Sequence, residues 1–194
     1  SAASDVYKRQ VEDCAEKGIV VFNSPGANAE AVKEQEICSL IMASRDVLGS
    51  IEWVKSIAGE GEKIPALVEK GKSAFSGPEI MGKTLGVIGL GAIGRRVADI
   101  AGMFGCRVLY YSTSGKHDQP GYERVDFDTL LAESDIVSVH APLDANTEGL
   151  MNAGAFAKMK KSAIFLNLGR GPIVVEKDLA EALKSGTIAA AGLD

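Results

Sequence analysis

Cysteine is scarce in this chain: three occur in 194 residues, at Cys14, Cys38 and Cys106, far apart and with no C-x-x-C spacing. That pattern argues against a disulfide framework and against a structural zinc site, and fits a reducing cytoplasm. Basic residues are outnumbered, 21 Lys and Arg against 26 Asp and Glu, for a net charge of −5. A surface of that sign attracts neither nucleic acid nor an anionic membrane. Long apolar runs are also missing. None approaches the roughly 18 residues that span a bilayer, and S-A-A-S-D-V-Y-K-R-Q at the start has no apolar centre of the kind a secretory signal carries. Residues 1–10 read instead as a leader unrelated to the rest of the chain. No cluster of metal-ligating residues emerges, so no metal is expected.

The remaining composition, 46% hydrophobic and 24% charged, is that of a globular chain long enough for one sizeable core. G-I-V-V-F-N, Gly18 to Asn23, predicts a short strand ended by Ser24-Pro25-Gly26. From Ala29 to about Ile57 apolar residues recur near period 3.6, which predicts one long helix, with Glu30, Glu34 and Glu36 making its first turns acidic. Residues 58–83 read as a short helix between surface connections.

Beyond that point the pattern is regular. Strands are expected at Thr84–Ile88, Arg107–Tyr111, Ile136–His140, Ala163–Leu168 and Thr187–Ala191. Helices are expected at Ala92–Phe104, Phe127–Ala132, Asn152–Lys160 and Glu176–Lys184. Nearly all-apolar strands alternating with helices imply an α/β fold, a doubly wound parallel sheet of Rossmann type covered on both faces. Ligands of such sheets bind beyond the carboxyl ends of the strands.

Four strand ends carry chemistry. After the first, G-L-G-A-I-G places Gly89, Gly91 and Gly94 between a strand and a helix, the context of a dinucleotide turn. There the amides of Ala92 and Ile93 open toward a pyrophosphate. After the second, where an Asp or Glu commonly holds the adenosine ribose, stands Ser112 in S-T-S-G-K. With Thr113, Ser114 and Lys116 it forms a neutral-to-positive turn that tolerates a 2′-phosphate, so either NAD or NADP fits. Two further ends bring His140, Ala141 and Pro142, then Arg170 between Gly169 and Gly171. The guanidinium fork of Arg170 suits a carboxylate or a keto-acid oxygen. His140 reads as a positioned cleft residue, and His117 as a solvated turn residue.

With G-L-G-A-I-G, S-V-H-A-P-L-D-A-N-T and N-L-G-R-G-P-I-V in this order, the chain resembles the D-isomer-specific 2-hydroxyacid dehydrogenases from about Val11 to Asp194. Residues 11–83 look most like phosphoglycerate dehydrogenases, and the part from Arg107 onward like glycerate dehydrogenases, also called hydroxypyruvate reductases. The resemblance implies hydride transfer between NAD(P) and the 2-position of a small hydroxy acid, with 3-phosphoglycerate or glycerate and hydroxypyruvate as candidate substrates. It implies that Arg170 is catalytic, binding the substrate carboxylate and polarising its keto group. Gly91, Ala92 and Ile93 would meet the pyrophosphate, and Ser112 the ribose. His140, Ala141, Pro142, Thr147, Leu168 and Gly169 match other cofactor contacts, and Asp194 would meet the nicotinamide carboxamide. The family's proton-donating histidine and its partner glutamate match positions beyond Asp194. By the same resemblance residues 11–24 are a remnant of the substrate domain and 25–194 most of the cofactor domain. Turnover by the chain alone is therefore not expected, and the long helix from Ala29 is the expected contact of a homodimer. Two other readings remain at this stage, a nucleotide-sensing interaction module and an inactive cofactor-domain remnant.

Overall fold

A computed structural model describes residues 11–22, 26–112 and 121–194. Six parallel strands form one sheet: β1 (Thr84–Ile88), β2 (Arg107–Tyr111), β3 (Glu123–Arg124), β4 (Ile136–Val139), β5 (Ile164–Asn167) and β6 (Ala190–Leu193), in the order β3-β2-β1-β4-β5-β6. β1 sits at the centre and the chain winds outward from it in both directions. This puts the topological switch between β1 and β4, where a crevice opens at the carboxyl ends.

The helices are α1 (Ala29–Ser44), α2 (Val47–Ser56), α3 (Ile64–Gly71), α4 (Ala92–Met103), α5 (Phe127–Glu133), α6 (Ala153–Lys158) and α7 (Glu176–Lys184). Alternation along each strand divides the core in two. Leu85 and Val87 of β1, Ile136 of β4 and Ile164 and Leu166 of β5 pack with Leu40 of α1 and Val97, Ala98 and Ala101 of α4. Ile88, Val137, Val139 and Phe165 face the other way, onto Leu130 and Leu131 of α5, Phe156 of α6 and Leu179 and Ala182 of α7. The central strands β1, β4 and β5 are apolar on both sides because both sides are covered.

Four expectations are corrected. The single helix from Ala29 to Ile57 is two. At the break Ser44 Oγ bonds back to Leu40 O at 2.8 Å, Arg45 is extended, and Asp46 caps α2 by accepting from Gly49 N at 2.9 Å. A polar S-R-D run offers the backbone side-chain partners that compete with continued helix. Over its described part, Gly18–Phe22, the expected strand does not form: residues 11–16 are helical, and 19–22 lie in no strand and are exposed. They are not among the six strands of the sheet, whose edges are β3 and β6. β6 starts three residues later than expected. Ile188 N bonds to Ala182 O and buries its side chain at the end of α7, and pairing with β5 begins only at Ala190. Two-residue β3 is an addition to the expected strands; its Glu-Arg pair has no apolar signal to read. Residues 1–10, Asn23, Ser24 and Pro25, and Thr113, Ser114, Lys116 and His117 lie outside the described residues.

Candidate nucleotide cleft

The turn after β1 is built from close approach. Gly89 has φ +95°, and a Cβ there would stand 2.7 Å from Ala141 N and 2.8 Å from Ala141 Cα. Gly89 N bonds to Tyr111 O at 2.9 Å and His140 N to Ile88 O at 2.8 Å, which locks the ends of β1, β2 and β4 together. A Cβ on Gly94 would lie 2.2 Å from Gly89 O, so only glycine lets α4 start this near the strand. Gly91 differs. Its backbone is extended (φ −82°, ψ −158°), and among the described residues a Cβ there would meet nothing within 4 Å and no side chain caps the start of α4. The protein leaves that space open in front of uncapped helix amides, where a phosphate gains both hydrogen bonds and the helix dipole.

Beside this turn is a cleft of about 370 Å³, lined by Val32, Ile93, His140, Ala141, Pro142, Leu143, Leu168, Gly169 and Arg170. Arg170 is held by its own loop. Asn167 Nδ2 donates to Arg170 O at 3.2 Å, Asn167 Oδ1 accepts from Gly169 N at 3.2 Å, and Arg170 Nη1 donates to Gly169 O at 3.2 Å. No carboxylate among the described residues lies within ion-pair distance of Arg170. Thr147 is fully buried and spends its hydroxyl on the loop that carries Pro142, donating to Pro142 O at 2.6 Å and accepting from Asp144 N at 2.8 Å. Ser112 follows β2 directly, half-buried. Asp194 follows β6, its amide 3.3 Å from Asn167 O. The strand-end residues expected from the sequence thus come to one edge of the sheet. A hollow of about 460 Å³ between Ile41, Met81 and Phe104 lies at the amino end of the strands, away from them.

Three polar residues of the site do not stand out in the sequence. Asn167 lies within the N-L-G-R-G string but draws notice only once its amide is seen to hold the loop. Glu36 and Ser138 are more telling. In the sequence Glu36 reads as one of the acids of the first helical turns; it is instead fully buried against the sheet. Ser138 Oγ donates to Glu36 Oε1 and lies 2.7 Å from His140 Nε2. Burial raises the Glu36 carboxyl to about 7, with the Ser138 bond acting weakly the other way, and burial lowers His140 to about 4. A signal exists for each. Val32, Glu36 and Leu40 recur every fourth residue on one helix face, and Ser138 and His140 share one side of a strand by period 2.

The chain has counterparts among known proteins. Residues 37–194 match the family described as D-isomer specific 2-hydroxyacid dehydrogenase, NAD binding domain. The chain is 40% identical over 187 residues to D-3-phosphoglycerate dehydrogenase of Archaeoglobus fulgidus, covering 95% of this chain and 33% of that one. It is 38% identical over 184 residues to hydroxypyruvate reductase of Thermotoga maritima, covering 95% and 56%. It therefore spans about half or less of the length of these relatives. Among solved structures, an acyclic imino acid reductase in complex with NADPH and D-Arg superposes with a TM-score of 0.81 at 32% identity, over 95% of this chain and 56% of that one. D-lactate dehydrogenase with NAD+ from Lactobacillus jensenii gives 0.74 at 35%, over 93% and 52%.

Proposed function

From the premise that the chain belongs to the D-isomer-specific 2-hydroxyacid dehydrogenases, we propose that its cleft binds NAD or NADP. We propose further that it serves an oxidoreductase acting at the 2-position of a small D-2-hydroxy or 2-keto acid. One observation carries the reading: the open space at Gly91 and the guanidinium of Arg170 belong to the same carboxyl edge of the sheet. The residues fit such a cofactor. Uncapped amides at the start of α4 would hold its pyrophosphate, and Ile93, Pro142 and Leu168 offer apolar walls. When bound, the nicotinamide supplies or accepts the hydride. Arg170, with its backbone fixed by Asn167, would bind the acid's carboxylate in its fork and draw electron density from the keto oxygen. Hydroxypyruvate, glycerate and 3-phosphoglycerate are the substrates this reading favours, because a D-3-phosphoglycerate dehydrogenase and a hydroxypyruvate reductase each match 95% of this chain. Residues 25–194 are read as the cofactor domain and 11–24 as part of the substrate domain.

The cofactor choice rests on Ser112. An Asp at this strand end accepts hydrogen bonds from the ribose hydroxyls and repels a 2′-phosphate; a serine does not repel it. Nicotinamide fluorescence on titration with NADH and with NADPH is expected to show both binding. Ser112→Asp is expected to weaken NADPH relative to NADH by about tenfold or more, one like-charge contact being worth roughly 1.4 kcal/mol at a partly screened site. Equal effects on the two nucleotides would sink this account of Ser112, and binding of neither would sink the function.

A further inference from the structure

The buried line Glu36–Ser138–His140 has no part in the function just described, yet it ends at a residue lining the cleft. The Glu36 and His140 side chains are 1% and 3% exposed, and 4.0 Å separates Glu36 Oε1 from His140 Nε2 with the Ser138 hydroxyl in contact with both. The second carboxyl oxygen, Glu36 Oε2, is buried with no hydrogen-bond partner among the described residues. A charge on this carboxyl has the Ser138 hydroxyl as its one hydrogen-bond donor among the described residues to offset its loss of water.

We infer that Glu36 is a positioning residue whose proton sets the tautomer of His140 at the cleft. A proton on Oε2 would have no acceptor, so the acid form carries it on Oε1, toward Ser138. Glu36 then donates to Ser138 Oγ, Ser138 donates to His140 Nε2, and the ring must carry its hydrogen on Nδ1. When Glu36 is ionised the direction reverses. Ser138 donates to the carboxylate and accepts from Nε2–H, leaving Nδ1 as an acceptor. Between the two states the protein exchanges one proton with solvent at Glu36. The ring loses its hydrogen at one nitrogen, gains one at the other, and stays neutral throughout.

Nearby charges leave this balance to Glu36 itself. On α1, Lys33 pairs with Glu30, and Glu34 is exposed. On α4, which packs against α1, Arg96 also pairs with Glu30, Asp99 bonds to the Tyr122 hydroxyl, and Arg95 acts on that same hydroxyl. β4, β5 and β6 carry no charged residue; His140, Arg170 and Asp194 come only after their ends. Burial is the larger influence on Glu36 and the Ser138 bond the smaller. The resulting midpoint near neutrality allows the switch to occur in an accessible range.

The inference rests on the cofactor reading only for its consequence, since a group meeting Nδ1 would find a donor at low pH and an acceptor at high pH. The switch itself is read in the protein alone. With two histidines in the chain, protein carrying isotope-labelled histidine gives two ring-nitrogen patterns, and His117→Asn assigns them. Titration between about pH 5 and 9 should show His140 neutral throughout. Its hydrogen should sit on Nδ1 at the acid end and on Nε2 at the alkaline end, with one transition. Glu36→Gln and Ser138→Ala should each remove that transition. One unchanging tautomer in the unsubstituted protein, or an imidazolium forming at histidine's ordinary pKa, would overturn the inference whether or not either variant folds. If the switch is present and NADH leaves His140 unmoved, the inference stands and the cofactor placement fails.

Discussion

Replacing Gly91 by valine is expected to leave the protein folded and to weaken nicotinamide dinucleotide binding by about 100-fold or more. The backbone at Gly91 is one that any residue adopts, and a Cβ there meets nothing within 4 Å among the described residues. Loss of glycine at this helix start costs about 1 kcal/mol or less, a small shift in thermal midpoint. The valine methyls, however, occupy the space through which a pyrophosphate must approach the Ala92 and Ile93 amides. Two charge-assisted hydrogen bonds to phosphate, each worth roughly 1.5–3 kcal/mol, account for the expected loss. The neighbouring glycines supply the contrast. Gly89→Ala sets a side chain against the Ala141 backbone at positive φ, and Gly94→Ala one against Gly89 O. Both act on the fold itself. Circular dichroism through a thermal ramp, beside nicotinamide fluorescence, separates the two kinds of loss. Undiminished affinity in folded Gly91→Val would mean that the phosphates lie elsewhere.

Glu36→Gln is expected to gain stability relative to the unsubstituted protein as pH rises, by about 2–3 kcal/mol between pH 5 and 8. The folded carboxyl titrates at about 7 against an ordinary 4.5. Between those values the folded state holds more protons than the unfolded one. Glu36's contribution is therefore fully present below about 4.5 and is lost as pH rises to 7 and beyond. His140 has the opposite sign. Its folded value of about 4 lies below the ordinary 6.5, so stability falls as pH drops through that window. The two slopes oppose each other over their common range and give the unsubstituted protein a flat profile there. Removing Glu36 exposes the histidine slope, so the variant grows more stable toward neutral pH. Urea unfolding at the two pH values reads the difference directly, whatever fixed cost the glutamine brings. A variant whose relative stability fell with rising pH would contradict a neutral, buried Glu36.

How far the sequence can be read depends on what kind of force sets each element. β1 and β2 run where expected, because a central parallel strand buried on both faces has nothing to confuse its apolar run. The three glycines can be placed because a strand before and a helix after leave one geometry for the turn. Where local polar chemistry decides the outcome, the apolar pattern misleads. Arg45 and Asp46 interrupt a periodicity that continues on either side of them, since capping by Asp46 costs no hydrophobic match. Ile19 to Phe22 have strand-like side chains but lie in no strand. Glu36 looks like a solvated helix acid because its buried face is visible only through Val32 and Leu40, one turn to either side. Arg170 can be found from its strand-end position. The Asn167 amide that steadies its loop cannot, because a single asparagine after an apolar strand has many commoner uses.

The central claim is that a nicotinamide dinucleotide occupies the carboxyl edge of this sheet, between the Gly91 turn and Arg170. Mapping backbone amide chemical shifts while NADH is added tests it most directly. Saturable shifts are expected at Gly89 to Gly94, Ser112, His140 to Pro142 and Leu168 to Arg170, with Asp194 following. Shifts gathered around Ile41, Met81 and Phe104 at the opposite end of the strands, or none at saturating NADH, would contradict it.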